Sequence, residues 1–365
     1  MAGFGELENK ILQLEKDSKI CVLMHDNPDP DSIAVAYFCK EVLKNIGISE
    51  TYILSGGNMD EQTRKFCTSL RIYDNLNYNK DPELHNIYHW NYDTNKKDAP
   101  HLYPQYFNKF IFADHNGNNS RWARERKIQN GELAAIIDHH DCDNAINAQF
   151  IDCRQIGSAS SIIVEYLEQG AKKYFKKENL DTLYQLLHLG IHVDTNYLRN
   201  GATKKDIEMI KKIAPMIDYS LFSSFSNFKR KGEWMDAYGR AYVTREPICK
   251  GANIASIGNI KNSKIRGALP IAANDLLKED KINTIILFGF DEKYVDFAIR
   301  TEKKNFDYKN LVENFPGAIG GGRGSAGRMQ VPTSYFMNGR IDYNERSVAE
   351  KESLIKEKMK EYIKS

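Results

Sequence analysis

Three features that would indicate a membrane protein, a zinc site or a broad nucleic-acid surface are missing from this sequence. Its longest apolar run, near residues 282–290, is far too short to cross a bilayer, and the polar residues 1–19 lack the apolar core of a signal peptide. The six cysteines form no Cys-x-x-Cys pair, and the formal net charge is only +2. We therefore expect a cytoplasmic protein with no membrane partner, in which Cys21 and Cys39 are reduced core residues.

What the sequence does contain is a dense group of candidate metal ligands at residues 25–31, which read His-Asp-Asn-Pro-Asp-Pro-Asp. The apolar run 19–24 before it predicts a buried strand, and the periodicity of 32–43 after it predicts a helix. In open α/β sheets, ligands bind at this carboxyl end of a strand. Neighbouring carboxylates repel one another unless a cation lies between them, so the group favours a divalent metal such as manganese. The alternative is a surface turn rich in Asp, Asn and Pro.

Three later apolar segments also deliver an aspartate at their last residue. They are 110–114, 133–138 and 190–194, and we expect each of them to be a strand, as we do for 50–58. Helical patterns separate several of these strands, which predicts a parallel sheet with right-handed crossovers. A parallel sheet aligns the carboxyl ends of its strands, so the four acidic turns should converge. The alternative, that each aspartate only caps a helix, requires four separate coincidences.

The C-terminal half has a different pattern, and at about 100–200 residues per domain the 365 residues suggest two domains. A long helical stretch, 204–228, contains Pro215 as a breaker and is expected to connect them. Beyond it we predict strands at 238–245 and 253–257, a helix at 265–277, a hairpin of 282–290 and 294–300, a helix at 308–315 and a charged helical tail from residue 347.

Residues 75–108 are crowded with polar residues and show little periodicity. Histidines 85, 89 and 101 lie in this segment and raise the question of a second metal site. Because no ligand spacing recurs, an irregular polar excursion on the surface is the favoured interpretation, and its role stays open.

A glycine-rich stretch at 317–327 is the other unusual segment. Its centre reads Gly320, Gly321, Gly322, Arg323 and Gly324. Glycines allow consecutive amides to form an anion-binding nest, and arginine adds a planar fork of donors for phosphate. The stretch lacks the Gly-Lys-Ser/Thr of a P-loop. A flexible loop is the alternative.

Five motifs occur in an order that is known from one enzyme family. In chain order they are His25-x-Asn-Pro-Asp29-x-Asp31, Asp114, Asp138-His139-His140, Gly190-Ile-x-x-Asp194-Thr195 and Gly320-Gly-Gly-Arg-Gly-Ser325. Together they resemble the DHH–DHHA1 phosphoesterases, and the resemblance covers roughly residues 19–335. The sequence departs from the family at Arg323, where histidine is usual, and in the long segment 75–108.

The resemblance implies an α/β fold: an N-terminal DHH domain with a parallel sheet flanked by helices, a helical connector and a smaller C-terminal DHHA1 α/β domain. The boundaries that we expect are 1–203 for the DHH catalytic domain, 204–230 for the connector helix, 231–345 for the DHHA1 substrate-binding domain and 346–365 for a charged helical tail.

The resemblance also implies a centre of two metal ions, usually Mn²⁺, for which Mg²⁺ or Co²⁺ could substitute. His25 and Asp29 would hold one ion, Asp31, His139 and Asp194 would hold the other, and Asp114 would bridge them. His140 and Asp114 would be the catalytic residues, with His140 contacting the phosphate or protonating the leaving oxygen. The substrate contacts implied in the second domain are Arg300, Gly320, Gly321, Gly322, Arg323, Gly324 and Ser325.

The implied activity is Mn²⁺-dependent hydrolysis of phosphodiester bonds in short single-stranded oligonucleotides (nanoRNA) or linear dinucleotides such as pApA, and of the bisphosphate pAp. Oligoribonuclease and pAp-phosphatase members of the family act in this way. One alternative is a phosphoanhydride hydrolase of the exopolyphosphatase or pyrophosphatase type. A non-catalytic nucleotide sensor is the alternative from another class, and it should have lost ligands, of which none is missing. Cleavage polarity, RNA against DNA and assembly as a homodimer stay open.

Overall fold

The structure is a computed structural model that describes residues 3–55, 59–72, 87–89, 106–117, 123, 128, 131–140, 147–230, 232–261, 263–323, 325–336 and 345–364. They form two compact units, Met1–Phe228 and Lys229–Ser365. No helix in the described part of the chain is both long and apolar enough to cross a membrane. Cys21, Cys39 and Cys67 are buried free thiols, whereas Cys153 is disulfide-bonded.

The first unit is built on a parallel sheet of six strands in the order β3-β2-β1-β4-β5-β6. Its strands are β1 (Ile20–Met24), β2 (Thr51–Ser55), β3 (Ile87–His89), β4 (Lys109–Ala113), β5 (Leu133–Asp138) and β6 (Phe150–Cys153). The central strands β1 and β5 are buried along their whole length, which explains why they read as continuous apolar runs. The parallel sheet predicted from these runs is confirmed.

Seven helices of the first unit have described bounds. They are α1 (Phe4–Leu12), α2 (Pro30–Asn45), α3 (Glu61–Ser69), α4 (Ala159–Glu168), α5 (Lys177–Asp194), α6 (Lys204–Ile213) and α7 (Tyr219–Ser226). Helix α2 begins with Pro30 at its first turn, and Asp29 caps it by accepting a hydrogen bond from the Ser32 amide, 3.0 Å away. The turn at residues 25–31 is therefore fixed on both sides, by β1 and by this cap.

The strand predicted at 190–194 is wrong, because these residues form the last turn of α5. Buried residues recur along α5 at helical spacing, among them Leu183, Leu187 and Ile191, and the short apolar run was the end of this longer stripe. Gly190 lets the helix pass close to α2. A Cβ at this position would lie only 2.9 Å from the Asp31 Cα.

The helical stretch predicted at 204–228 breaks where Pro215 was expected to break it. Helix α6 ends at Ile213, a short 3₁₀ turn covers Ala214–Met216, and α7 follows. Helix α6 packs on α4 and α5, so these residues belong to the first compact unit. The four domain boundaries given above stay predictions.

The second unit contains a mixed sheet in the order β11-β12-β10-β9-β8-β7, in which β8 and β9 are parallel and the other pairs antiparallel. Its strands are β7 (Glu246–Cys249), β8 (Ala252–Asn259), β9 (Thr284–Phe290), β10 (Tyr294–Thr301), β11 (Ile319–Arg323) and β12 (Ala326–Pro332). The hairpin predicted from 282–290 and 294–300 is confirmed as β9 and β10.

Helices cover both faces of this second sheet. They are α8 (Gly232–Thr244), α9 (Ser263–Arg266), α10 (Ala268–Leu276), α11 (Tyr308–Glu313) and α12 (Val348–Lys364). Helices α8 and α10 share one core cluster with the sheet, while α11 and α12 share another, into which α12 buries Ile355 and Met359. The strand predicted at 238–245 is wrong: Ala237, Tyr238 and Ala241 of α8 are buried at helical rather than alternating spacing.

Candidate metal centre

The carboxyl edge of the first sheet gathers the predicted metal ligands. Strand β1 leads directly into His25 and the α2 turn, β4 is followed by Asp114, and β5 ends at Asp138 and is followed by His139. Because the strands are parallel and β1, β4 and β5 are neighbours, these turns lie side by side. The convergence expected from the sequence is present in the fold.

Asp194 reaches the same place from a helix instead of a strand. It is the last residue of α5, and its Oδ2 lies 2.9 Å from His139 Nε2. The close passage of α5 over Asp31, which Gly190 permits, places it there.

Two groups of ligand atoms share Asp114. His25, Asp29 and Asp114 form one, and Asp31, Asp114, His139 and Asp194 form the other; within each group the ligand atoms lie within 4.8 Å of one another. The two oxygens of Asp114 are divided between them. Its Oδ2 is 3.6 Å from His25 Nε2, and its Oδ1 is 3.4 Å from His139 Nε2. A third group adds His140 to Asp114 and His139.

The shared carboxylate is buried, strained and incompletely satisfied. Asp114 is 1% exposed, and its φ of 60° is in the left-handed region that L-residues rarely adopt. Its Oδ1 is buried and has no hydrogen-bond partner among the described residues. Orphaned atoms of this kind are what a bound cation would satisfy.

The electrostatics of the cluster also favour added positive charge. Burial, and next the charge of Asp31, raise the pKa of Asp114 well above its usual value; burial and the charges of Asp31 and Asp29 do the same for Asp194. Burial opposes protonation of His25, but Asp29 and Asp114 outweigh it and raise the pKa of His25 well above normal. The cluster therefore draws in protons, which is the behaviour of a site that suits cations.

Backbone donors hold Asp31, which is fully buried. Its two oxygens accept hydrogen bonds from the amides of Ala159 and Ser160, at the start of α4, each at 2.7 Å. Asp206 supports this turn by accepting from the Gly157 amide at 2.9 Å and from Ser161 Oγ at 2.6 Å. Sequence reasoning missed this support, although the Gly-Ser-Ala-Ser-Ser run at 157–161 is a recognisable helix start.

The two histidines after β5 are oriented by their Nδ1 atoms. His139 Nδ1 lies 3.1 Å from the carbonyl oxygen of Ile156, so it donates there and leaves Nε2 for a ligand. His140 Nδ1 lies 2.7 Å from Asp138 Oδ1, which also accepts the amide of His139. Burial opposes ionisation of Asp138, but its hydrogen bond with His140 outweighs this and lowers the pKa of Asp138.

His115 is a further residue whose position sequence reasoning left without a role. It is fully buried, its Nε2 donates to the Leu23 carbonyl at 2.9 Å, and its Nδ1 accepts from the Gly117 amide at 3.0 Å. Its ring stacks on Phe112, and burial, with a further contribution from His25, lowers the pKa of His115 to about 3. It stays neutral and ties the turn that carries Asp114 to β1.

The predicted substrate residues of the second unit have different surroundings from one another. Arg300, on β10, donates from Nε to Asn274 Oδ1 at 2.5 Å and from a terminal nitrogen to the Ile299 carbonyl at 2.8 Å. It forms no ion pair with any acid in the described ranges, and burial lowers the pKa of Arg300. A partly exposed cation that has no acidic partner among the described residues is available to an anion.

The glycine-rich stretch is a hairpin strand, not the loop or nest that the sequence suggested. Gly320, Gly321 and Gly322 lie in β11, paired antiparallel with β12. A Cβ on Gly322 would lie 2.6 Å from the Tyr308 ring and one on Gly327 would lie 2.3 Å from it, so these glycines make room for Tyr308. By contrast, a Cβ on Gly321 would meet no atom within 4 Å.

Register places Arg323, Ala326 and Arg300 in one row across β11, β12 and β10. The Ser325 carbonyl accepts from the Thr301 amide at 2.9 Å. Gly324 lies outside the described residues, as do His85 and His101 of the segment 75–108.

Comparison with known proteins agrees with this geometry. Residues 19–191 match the DHH family, N-terminal domain. An uncharacterized protein of Methanocaldococcus jannaschii, MJ1633, is 26% identical over 343 residues; the alignment covers 94% of this chain but only 62% of that protein's length.

Two crystal structures share the fold. An exopolyphosphatase-related protein from Bacteroides fragilis superimposes with a TM-score of 0.67 at 14% identity, covering 99% of this chain and 97% of its own. The exonuclease RecJ bound to manganese superimposes with a TM-score of 0.51 at 11% identity, covering 92% and 91%. The second sheet is consistent with a DHHA1 domain. Together with the match over residues 19–191, these likenesses support a DHH-family phosphoesterase.

Proposed function

We propose that this DHH-family hydrolase is a metal-dependent phosphodiesterase that acts on short single-stranded oligonucleotides and linear dinucleotides such as pApA. The observation that carries the proposal is the pair of ligand groups that share the buried, incompletely satisfied Asp114. The fold that the chain shares with RecJ supports phosphodiester chemistry. Homodimer formation and a cytoplasmic location stay predictions.

The donor set fits two Mn²⁺ ions. Asp29 and His25 would hold one, Asp31, His139 and Asp194 the other, and Asp114 both, because imidazole and carboxylate ligands suit this ion. When bound, the ions supply a low-pKa water and polarise the phosphate that is cleaved.

The chain's own residues supply the rest of the chemistry. His140 Nδ1 donates a hydrogen bond to Asp138 Oδ1. This orientation leaves His140 Nε2 to contact the phosphate or to deliver a proton to the leaving oxygen. His115 and the amides at the start of α4 hold Asp114 and Asp31 in place without touching the substrate.

In the second unit, Arg300 and the hairpin around Arg323 would bind a phosphate that is not cleaved. Support comes from the absence of an acidic partner for Arg300 in the described ranges and from the row that it shares with Arg323. Two arginines in one row, separated by Ala326 of β12, would offer several charge-assisted donors to one phosphate group.

A single panel of assays tests the proposal. The full chain is stripped with a chelator, reloaded with Mn²⁺ or Mg²⁺, and offered pApA, pAp, cyclic dinucleotides, short RNA, polyphosphate and pyrophosphate in parallel. We expect no turnover after chelation, better recovery with Mn²⁺ than with Mg²⁺, and hydrolysis of pApA and short RNA.

Two outcomes would contradict it in different ways. Full activity after exhaustive chelation would remove the metal mechanism. Turnover of pyrophosphate or polyphosphate alone would keep the metal centre but replace the substrate class with phosphoanhydrides, the class named for the Bacteroides fragilis neighbour.

A further inference from the structure

A strained turn follows the metal-ligand candidate Asp194. Asn196, Tyr197 and Leu198 have φ values of 45°, 57° and 64°, so three consecutive residues other than glycine are left-handed. Left-handed helical backbone destabilises an L-residue by about 1–2 kcal/mol. Three such residues in a row are not expected in an unconstrained surface turn, and strain of this kind clusters at functional sites.

Hydrogen bonds hold this turn in place. The Tyr197 amide donates to the His192 carbonyl at 2.6 Å, and the Leu198 amide donates to Thr195 Oγ1 at 3.1 Å. The Asn200 amide donates to the Thr195 carbonyl at 3.0 Å. The backbone of the turn is therefore fixed to the end of α5.

The strain presents an aromatic ring to solvent. Tyr197 remains 37% exposed although aromatic rings stand behind it. Its ring centroid lies 5.8 Å from that of His192 and 6.2 Å from that of Phe222, and those two rings are 5.0 Å apart. His188 and Tyr219 extend the group. This supported ring can accept another flat ring against its exposed side.

The turn is also close enough to the ligand cluster to serve the same substrate. Three peptide units separate Asp194 from Tyr197, so their Cα atoms are at most about 11 Å apart. A nucleotide whose phosphate lies at the cluster extends its ribose and base over a distance of this kind. Phosphoanhydrides have no ring to place there.

We propose that Tyr197 is a stacking residue for a nucleobase of the substrate, and that the left-handed turn Asn196–Leu198 exists to present it. This inference rests on the proposed function, and it adds a reason why a nucleotide is preferred to a polyphosphate. Stacking of a base on an aromatic side chain contributes about 1–3 kcal/mol, or roughly 5- to 150-fold in affinity.

Binding measurements test the inference without requiring turnover. The Mn²⁺-loaded parent is titrated calorimetrically with AMP and with ribose 5-phosphate, which carries the same phosphate and sugar but no base. We expect the parent to bind AMP at least about fivefold more tightly than ribose 5-phosphate. Tyr197→Ala should lose this preference, while Tyr197→Phe should keep it because the ring is retained.

Leu198→Ala is the matched control. Leu198 has the same 37% exposure and lies in the same left-handed turn, but it offers no ring. The preference of Leu198→Ala for AMP over ribose 5-phosphate should equal that of the parent. Equal affinity of the parent for both ligands, or an unchanged preference in Tyr197→Ala, would overturn the inference.

Turnover of pApA separates this inference from the proposed function. A parent that prefers AMP through Tyr197 but does not hydrolyse pApA would overturn the proposed activity and support the base site. A parent that hydrolyses pApA with no Tyr197-dependent preference would overturn the base site alone.

Discussion

The two units treat their charged residues in opposite ways. In the first, three turns and one helix end bring carboxylates and imidazoles together around one shared aspartate, Asp114. In the second, Arg300 is only partly buried and has no acidic partner in the described ranges, and the glycine hairpin is shaped by the Tyr308 ring. One unit concentrates candidate ligands for cations, and the other leaves an arginine without an acidic partner among its described residues.

The difference follows from sheet topology. All strands of the first sheet run the same way, so whatever follows each strand reaches one edge. The second sheet is mixed, and its strand ends alternate between two edges. A shared site at strand ends is therefore natural in the first unit, whereas the second unit must place functional groups on strand faces and in hairpins.

The largest expected effect is at the residue that both ligand groups share. Asp114→Asn keeps the shape of the side chain, and asparagine tolerates the φ of 60°. Losing one bridging charge should lower kcat/KM for pApA by about a thousandfold or more, equivalent to about 4 kcal/mol. Steady-state kinetics with saturating Mn²⁺ measure this loss of kcat/KM.

Thermal unfolding sharpens this prediction. Since burial and Asp31 disfavour the charged form of Asp114, the metal-free variant should be at least as stable as the metal-free parent. Mn²⁺ should raise the Tm of the parent and not that of the variant. Asp60→Asn, which alters an aspartate that only caps α3, is the control and should change neither property by much. Turnover of Asp114→Asn within a few-fold of the parent would show that Asp114 is merely a capping residue.

The second-largest expected effect is the loss of stability that follows protonation of a buried histidine in acid, and this contribution is confined to the first unit. Residues 229–365 contain no histidine, whereas burial lowers the pKa of His115 to about 3. Above pH 6.5 the imidazole is neutral in both the folded and the unfolded chain. As the pH falls below 6.5 only the unfolded chain takes up the proton, so stability declines until the pH reaches about 3.

Between pH 6.5 and 4 the free energy of unfolding should fall by about 3 kcal/mol, at 1.36 kcal/mol per pH unit. His115→Gln can still donate to the Leu23 carbonyl and should lack this part of the decline. Hydrogen exchange of metal-free protein, followed separately in the two units at several pH values, measures it. A parallel decline in parent and variant would mean that His115 is protonated in the folded state.

A smaller effect is expected from the arginines of the second unit. Arg323→Ala and Arg300→Ala should each lower kcat/KM for pApA by about ten- to a hundredfold. This loss corresponds to the contribution of about 1.5–3 kcal/mol that a charge-assisted hydrogen bond makes to binding. The loss should be small for bis-p-nitrophenyl phosphate, which has no second phosphate. Arg245→Ala, whose arginine is already paired with Glu279, is the control. Equal losses on both substrates would assign the two arginines to the metal centre or to the fold.

The sequence predicted the first unit better than the second for the same topological reason. A buried parallel strand reads as a continuous apolar run, so β1, β4 and β5 and the ligands after them could be found without a structure. Asp194 lies beside the other candidate ligands, but the sequence placed it on the wrong element, because a five-residue apolar run does not distinguish a strand from the end of a helix. The role of the glycines could not be predicted because it depends on a tertiary contact. From the sequence, Gly322 and Gly327 suggested a phosphate nest, whereas in the structure they make room for the Tyr308 ring.

The smallest predicted effect contrasts strain in the two units. Asp114 and the turn Asn196–Leu198 are left-handed at or beside the ligand cluster, whereas Lys281, with a φ of 70°, is the one left-handed residue other than glycine in the described part of the second unit. Lys281 is exposed and belongs to a surface turn, so no function opposes relief of its strain. Lys281→Gly should raise the free energy of unfolding by about 0.5–1 kcal/mol, since the strain removed exceeds the extra entropy of glycine in the unfolded chain. Denaturant unfolding measures the change, and kcat/KM should match the parent. A destabilised Lys281→Gly would show that the lysine side chain has a structural role, and a loss of activity would mean that strain in the second unit is also functional.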